Sequence, residues 1–133
     1  MGFERIDIDK LVEMSVTAMQ QAYAPYSHLK VGAAVLGGSG GMYCGCNVEN
    51  ASYGLSICAE RSAVCKAVCN GEGSIRAIAI SNSTGNPLTP CGACRQVLAE
   101  FAVKGELMFV YVNSSKGVET YTLEELLPHA FEL

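Results

Sequence analysis

The sequence predicts one α/β domain over residues 1–133, a three-layer α/β/α sandwich around a mixed five-stranded sheet. Short apolar, β-branched runs bounded by turn residues are typical of strands. Longer apolar runs with helical periodicity or alanine-rich composition alternate with them. In the second half a helix separates two buried strands, which requires parallel pairing through a right-handed crossover. A chain of 133 residues, half of them hydrophobic, is long enough to bury such a core.

The first predicted element is a helix over residues 8–23. Asp7 or Asp9 can cap its start, and Pro25 ends it. Apolar residues at i, i+3 and i+4 spacing predict one face directed at the core, formed by Ile8, Leu11, Val12, Val16, Met19, Ala22 and Tyr23.

Two strands are predicted next, over residues 30–36 and 42–47. The glycine-rich stretch 37–41 between them predicts a hairpin turn, so the two strands should be antiparallel. A phosphate-binding loop is excluded because no Gly-Lys-Ser/Thr and no helical pattern follow the glycines.

The rest of the chain alternates helices and strands. A helix, a strand, a second helix, a strand and an edge strand are predicted in that order over residues 59–68, 75–81, 91–101, 108–112 and 118–121. Thr122 and Glu125 then fit a capping box that begins a short last helix through Leu127.

Charge and composition exclude several classes of function. The net charge is −4, and the 9 basic residues form no cluster that could neutralise a polynucleotide, so we expect no nucleic-acid partner. No apolar run approaches the roughly 20 residues that span a bilayer. Residues 1–5 resemble neither a signal peptide nor a transit sequence, so we expect a cytoplasmic protein without a membrane partner. Its substrate should be small and not strongly anionic.

Three of the seven cysteines have the spacing of a reactive zinc site. Cys91 and Cys94 are i, i+3 neighbours at a helix start that Pro90 marks, and Cys58 begins another helix. A reactive zinc ion keeps three protein ligands and one open position, whereas a structural site closes all four. Cys58, Cys91 and Cys94 supply three thiolates, the form that the positive end of a helix favours.

Glu60 and Arg61 follow Cys58 by two and three residues, at the start of the helix that Cys58 begins. A carboxylate two residues from Cys58 is not needed as a ligand. It can instead exchange protons with an attacking water and with the substrate, which is the general acid/base role. The Arg61 guanidinium can offset the negative charge of three thiolates around the metal.

The other four cysteines are interpreted differently. An odd number of cysteines without an export signal argues against a disulfide framework. Cys65 and Cys69 begin about 10 Å further along the helix than Cys58, too far for the same ion, so we interpret them as buried thiols. Cys44 and Cys46 lie on a predicted strand, and either could be a fourth ligand that makes the zinc structural.

Asn47 and Glu49 are two residues apart at the end of the second predicted strand. In extended chain their side chains point the same way and could hold a hydroxylated ligand. Spacing alone favours this interpretation no more than a turn in which both side chains bond to the backbone.

Cys-Ala-Glu-Arg at 58–61 together with Pro-Cys-Gly-Ala-Cys-Arg-Gln at 90–96 resembles the small, homo-oligomeric cytidine deaminases. The resemblance extends from about Tyr23 to Phe131. It implies zinc-dependent hydrolytic deamination of cytidine and deoxycytidine to uridine and deoxyuridine, a step of pyrimidine salvage. It also implies one Zn²⁺ per subunit, Glu60 as the proton carrier, and a homotetramer with shared active sites.

The same resemblance implies substrate-binding residues. Asn47 and Glu49 would hold the ribose hydroxyls, Tyr53 would lie in a loop that reaches toward a neighbour's site, and Phe131 would complete a neighbouring subunit's base pocket. Leu29 stands where the family commonly has Phe, in the segment that packs near the pyrimidine. Leucine keeps apolar contact there but loses ring interactions worth about 0.5–1.5 kcal/mol.

Two alternatives stay open. Blasticidin-S deaminase has the same pair of motifs, although the ribose-holding pair Asn47 and Glu49 favours a nucleoside. A binding module with a structural zinc, closed by Cys44 or Cys46, is disfavoured because Glu60 would then have no role.

Overall fold

The computed structural model describes residues 5–133. The helices are α1 (Ile8–Met19), α2 (Ala59–Cys69), α3 (Gly92–Glu100) and α4 (Leu123–Leu126), and the strands are β1 (Val31–Gly37), β2 (Met42–Cys46), β3 (Ile75–Asn82), β4 (Phe109–Ser114) and β5 (Gly117–Thr122). A 3₁₀ turn at Tyr53–Leu55 precedes α2. Helices long and apolar enough to cross a bilayer are absent from residues 5–133. Residues 1–4, on which the expectation of no targeting segment largely rests, lie outside the described residues.

One mixed five-stranded sheet organises the fold, in the order β2-β1-β3-β4-β5. The β1–β2 hairpin is antiparallel, as its glycine-rich turn predicted, and β1 also pairs antiparallel with β3. β3 and β4 are parallel across α3, and β5 is an antiparallel edge strand, which confirms both predictions. Thr122 and Glu125 form the predicted capping box of α4.

Helices cover both faces of the sheet, which confirms the three-layer sandwich. On one face, Leu11 of α1 shares a buried cluster with Ala34 and Tyr111 of the strands. On the other face, Val64 of α2 and Leu98 of α3 share a larger buried cluster with residues of β1, β3 and β4. Both helices that begin with a predicted zinc ligand therefore lie on the same face of the sheet.

The first helix is shorter than predicted. It ends at Met19 rather than at residue 23. The reason is that the backbone of Tyr23 pairs with the segment that follows β2. The Tyr23 N–H donates to the Asn47 carbonyl over 3.0 Å, and the Tyr23 carbonyl accepts from the Glu49 N–H over 2.9 Å. These bonds replace those of a further helical turn.

The buried face of α1 is also shifted relative to the predicted apolar stripe. Ile8 and Val16 are each 37% exposed. The polar Ser15 is interior instead, where its hydroxyl lies 2.7 Å from the Ser81 hydroxyl of β3. Gly32 of β1 permits this approach, because a Cβ there would lie only 2.0 Å from the Ser15 carbonyl oxygen. The buried residues of α1 are Leu11, Ser15 and Ala18.

Cys65 and Cys69 are exposed, so their interpretation as buried thiols is wrong. The small residues of α2 form the face that packs on the sheet, and a side chain two positions further along a helix lies on the other side. Those small buried residues are Ala59, Ala63 and Ala67. Close packing of α2 on the sheet therefore turns both thiols outward.

The glycine-rich hairpin between β1 and β2 is held by Glu72, a carboxylate 8% exposed that follows α2. Glu72 accepts hydrogen bonds from the Ser39 N–H over 3.1 Å, from the Ser39 hydroxyl, and from the Tyr43 hydroxyl over 2.7 Å. A Cβ on Gly37 would lie 2.2 Å from the Glu72 Cδ, so glycine makes room for the carboxylate.

Candidate active site

Two helices present the predicted cysteine ligands at their N-termini. Cys58 is the N-cap of α2, Cys91 is the N-cap of α3, and Cys94 lies in the first turn of α3. Neither N-cap thiol makes a capping hydrogen bond to its own helix, so both sulfurs remain available as ligands. Two partially positive helix ends therefore meet at one group of sulfur atoms.

The donor set and its spacing fit zinc. The three sulfurs lie within 4.8 Å of one another. Cys58 Sγ is 4.0 Å from Cys91 Sγ, which is 3.5 Å from Cys94 Sγ. Thiolates bound tetrahedrally at about 2.3 Å from one zinc ion stand about 3.8 Å apart. Within residues 5–133 this is the only group of three or more potential metal ligands, and neither Cys44 nor Cys46 joins it.

A thiolate at Cys58 is stabilised by its neighbours. The hydrogen bond from the Cys94 thiol and, after it, the contact with Arg61 lower the pKa of Cys58 to about 5. Arg61 Nη2 donates to Cys58 Sγ over 3.3 Å. The same contacts raise the pKa of Cys94, which holds the shared proton, and that of Arg61. The guanidinium thus lies where a cation can compensate the charge of the ligand sulfurs.

Glu60 lies in the first turn of α2, next to the three sulfurs, and is only 6% exposed. Burial is the main cause that raises the pKa of its carboxyl, and the Cys58 thiolate raises it further while Arg61 opposes the shift. A carboxyl whose pKa is moved toward neutrality can both accept and donate a proton.

A cavity of about 310 Å³ opens onto Glu60, Cys58 and Cys91. Its walls come from the loop before β1, the end of β2, the start of α2, β3 and the loop before α3, and they are mostly apolar. This volume is near the lower end of the roughly 300–1,000 Å³ of ligand pockets. Three larger depressions, of about 740, 500 and 370 Å³, contain neither a cysteine nor Glu60. Chemistry rather than size therefore identifies the site.

Asn47 is on the cavity wall, where its side-chain amide also fixes the start of β1. Oδ1 accepts from the Val31 N–H and Nδ2 donates to the Leu29 carbonyl, each over 2.8 Å. These bonds hold Leu29 on the same wall. One amide N–H and one oxygen lone pair of Asn47 stay available for a ligand.

Glu49 lines the cavity, and its carboxylate also holds the turn that contains Tyr26 and Ser27. Its Oε1 accepts from the Tyr26 N–H over 2.9 Å and from the Ser27 N–H over 3.1 Å, and its Oε2 accepts from the Ser27 hydroxyl. The Ser27 hydroxyl is the main cause that lowers the pKa of Glu49. Asn47 and Glu49 therefore make the backbone bonds of the turn interpretation and also line the cavity, while their binding of a hydroxylated ligand stays a prediction.

Tyr53 and Phe131 do not reach the cavity within one chain. Tyr53 is 77% exposed and lies on an adjacent depression, with its ring 6.1 Å from that of Tyr26. Phe131 is 70% exposed, and its backbone is hydrogen bonded to Gln96. Of the predicted substrate-binding residues, the structure brings Asn47, Glu49 and Leu29 to the cavity and leaves these two aromatics outside it.

Arg95 supports the site but was not predicted as a functional residue. Its Nε donates to the Pro90 carbonyl and its Nη1 to the Leu126 carbonyl, each over 2.7 Å, and its Nη2 donates to the Thr89 hydroxyl over 3.0 Å. Arg95 thereby fastens the loop that carries Cys91 to the end of α4. Arg95 follows Cys91 by four residues, and this helical spacing places both on the same side of α3. That spacing was the sequence signal that could have identified Arg95.

Comparisons with known proteins agree with this geometry. Residues 6–110 match the family model of the cytidine and deoxycytidylate deaminase zinc-binding region. The chain is 48% identical to a cytidine deaminase of Sporosarcina psychrophila over 95% of this chain and 92% of that protein. It is 44% identical to one of Halalkalibacterium halodurans over 95% of each. The crystal structure of a cytidine deaminase from Burkholderia pseudomallei is similar at 43% identity and a TM-score of 0.85, covering 95% of this chain and 100% of that one.

Proposed function

The chain belongs to the zinc-dependent cytidine and deoxycytidylate deaminases, and we propose that it hydrolyses cytidine and deoxycytidine to the uracil nucleosides and ammonia. The observation that carries this proposal is the meeting of three thiol sulfurs and a buried carboxyl at one small cavity. The whole chain would serve as one deaminase domain. Action on free nucleosides would belong to pyrimidine salvage.

Cys58, Cys91 and Cys94 would hold one Zn²⁺ per subunit. When bound, zinc is a Lewis acid that makes a water molecule acidic enough to react near neutral pH. Arg61 would keep the Cys58 sulfur deprotonated as a ligand and lower the net negative charge of the centre.

Glu60 would carry the protons of the reaction. It accepts a proton from the attacking water and donates one to ring N3 of the base, which makes C4 more electrophilic. The carboxylate then takes the proton of the new C4 hydroxyl and delivers it to the amino group, which leaves as ammonia while the C4 carbonyl forms. Its burial supports this role, because a carboxyl with a raised pKa accepts and releases protons with similar ease.

Asn47 and Glu49 would position the sugar. Glu49, whose pKa is lowered by the Ser27 hydroxyl and the Tyr26 and Ser27 amides, stays anionic and can accept hydrogen bonds from ribose hydroxyls. The free N–H of Asn47 can donate to the same sugar. Leu29, on the same wall, would supply apolar contact to the pyrimidine.

We further propose a homotetramer whose subunits share their active sites, located in the cytoplasm. The exposure of Tyr53 and Phe131, at 77% and 70%, supports shared sites because both aromatic rings lie uncovered in the single chain. A neighbouring subunit would bury them. The net charge of −4 does not favour a nucleic-acid partner.

Ultraviolet absorbance of the zinc-loaded protein with cytidine, deoxycytidine and, separately, blasticidin S tests the proposal. Loss of the cytosine chromophore with either nucleoside is the expected result and ranks the two sugars. Turnover of blasticidin S alone would overturn the roles of Asn47 and Glu49 on ribose. No turnover of any of the three would overturn the proposed activity.

A further inference from the structure

We propose that Gln96 is a positioning residue that holds the C-terminal tail, residues 128–133, so that the Phe131 ring stands away from its own subunit. The inference rests on the proposed function, whose shared active sites follow the expectation that Phe131 completes the base pocket of a neighbouring subunit. Gln96 itself is on α3 and does not line the cavity. Its effect on the reaction would therefore pass through Phe131.

The side-chain amide of Gln96 pairs with both backbone groups of Phe131. Nε2 donates to the Phe131 carbonyl over 3.0 Å, and Oε1 accepts from the Phe131 N–H over 3.2 Å. A hydrogen-bonded pair of residues in antiparallel strands makes the same two-bond exchange. Two bonds fix the direction of the backbone as well as its position, which a single bond cannot do.

The pairing decides where the Phe131 ring can go. A depression of about 500 Å³ beside the tail is lined by Pro128, His129, Ala130 and Glu132, but not by Phe131. The phenyl ring is instead 70% exposed. Exposed apolar surface is unfavourable in water, so an unrestrained tail would turn the ring toward nearby apolar surface. The Gln96 bonds hold the backbone in the opposite orientation, with the ring presented outward.

Gln96 also connects the tail to the metal centre. It is two residues after Cys94 on the same short helix, so α3 bears two predicted ligands for the site of its own subunit and the residue that presents Phe131. A single helix, α3, would therefore position both the metal ligands of its own subunit and the Phe131 ring that enters the site of the neighbouring subunit.

Kinetics of Gln96→Met, Phe131→Ala and the double variant with cytidine test the inference. Methionine has nearly the length of glutamine but makes neither hydrogen bond. A ring that contacts the base in ground and transition states alike affects KM and leaves kcat unchanged. Gln96→Met should therefore raise KM about 5- to 10-fold with kcat nearly unchanged, and should add nothing when Phe131 is already Ala. Gln21→Met, at an exposed glutamine beyond α1, is the matched control.

The role of Gln96 would be overturned if Gln96→Met raised KM equally in the parent and in Phe131→Ala, or raised it in neither. A fall in kcat at unchanged KM would do the same, because it would indicate damage to the metal helix instead of a displaced ring.

Fluorine NMR separates this inference from the proposed function. In protein labelled with 4-fluorophenylalanine, the resonance of position 131 is the one missing from Phe131→Ala. Gln96→Met should move that resonance away from its position in the parent, because the released ring turns toward apolar surface of its own subunit, whether or not cytidine is converted. An unchanged resonance overturns the inference even in an active enzyme. If the parent protein itself fails to convert cytidine, a changed resonance in Gln96→Met supports the tail restraint while the proposed function is overturned.

Discussion

The Arg61 guanidinium donates a hydrogen bond of 3.3 Å to the sulfur of Cys58, three residues before it in the chain. The pair lies at the start of α2, where the helix N-terminus adds partial positive charge to that of the guanidinium. The Cys94 thiol and this cation together stabilise the Cys58 thiolate. A cation in contact with this sulfur would lower the net negative charge of the proposed three-thiolate zinc site.

Replacing Arg61 by Gln should weaken zinc binding about 10- to 100-fold, as is usual when a partner of a metal ligand is lost. Glutamine retains an N–H donor but removes the positive charge. Competition with a chelator measures the affinity. Lys66→Gln, at an exposed position on the same helix, is the control and should bind zinc as the parent does. Equal affinity of the two variants would contradict the role of Arg61.

Glu60→Gln should lower kcat/KM about 10²- to 10⁴-fold, because the amide can neither take nor return a proton. Zinc content should stay at one ion per subunit, since the three thiols are unchanged. Nucleoside turnover and metal analysis of the same sample check both expectations. Glu100→Gln, exposed at the end of α3, should remain active. An active Glu60→Gln enzyme would exclude the acid/base role.

Arg95→Lys should destabilise the fold by about 1–3 kcal/mol, because an ammonium group cannot bond to Pro90, Thr89 and Leu126 at once. Urea unfolding of the zinc-loaded protein measures the free energy of unfolding. Arg5→Lys, at an exposed position, is the control. If both variants lose equally little stability, Arg95 does not anchor the loop before α3.

Gly32→Ala should cost about 1–3 kcal/mol, as overpacking of a close contact does. The added Cβ would lie 2.0 Å from the Ser15 carbonyl oxygen and 2.5 Å from the Met19 nitrogen, so α1 must move away from β1. Thermal or urea unfolding gives the comparison with Gly73→Ala, where no atom lies within 4 Å of the added Cβ. A similar loss at both positions would show that the approach of α1 to Gly32 is not responsible.

Glu72 should make stability depend on pH in the acid range. Hydrogen bonds from Ser39 and then Tyr43 lower the pKa of its carboxyl from the ordinary value of 4.5. A lowered folded-state pKa contributes stability that is fully present above the ordinary value and is lost as the pH falls through the lowered one. Glu72→Gln should therefore reduce Tm at about pH 7 and reduce the further loss of Tm on acidification to about pH 3. Glu124→Gln, exposed on α4, is the control, and an unchanged pH dependence in Glu72→Gln would contradict the assignment.

The apolar periodicity of α1 predicts a helix but does not determine which of its faces is buried. Ile8 and Val16 belong to the apolar stripe, yet both are partly exposed, while the polar Ser15 is buried. Which side of the helix faces the sheet depends on Gly32, a residue of another element that admits the helix backbone. The exposure of Cys65 has a similar cause, because the sheet packs against the alanine face of α2.

The sequence by itself determined the order of the elements, the hairpin, the parallel crossover, the capping box and the placing of Cys58 and Cys91 at helix starts. These features depend on residues close together in the chain, whose geometry local sterics and hydrogen bonding dictate. Tertiary structure alone decided that sulfurs 33 residues apart lie 4.0 Å from each other and that burial raises the pKa of Glu60. It also decided the pairing of Gln96 with Phe131. Burial and contact between distant residues arise only when the layers pack, because packing removes water and brings separate elements within bonding distance.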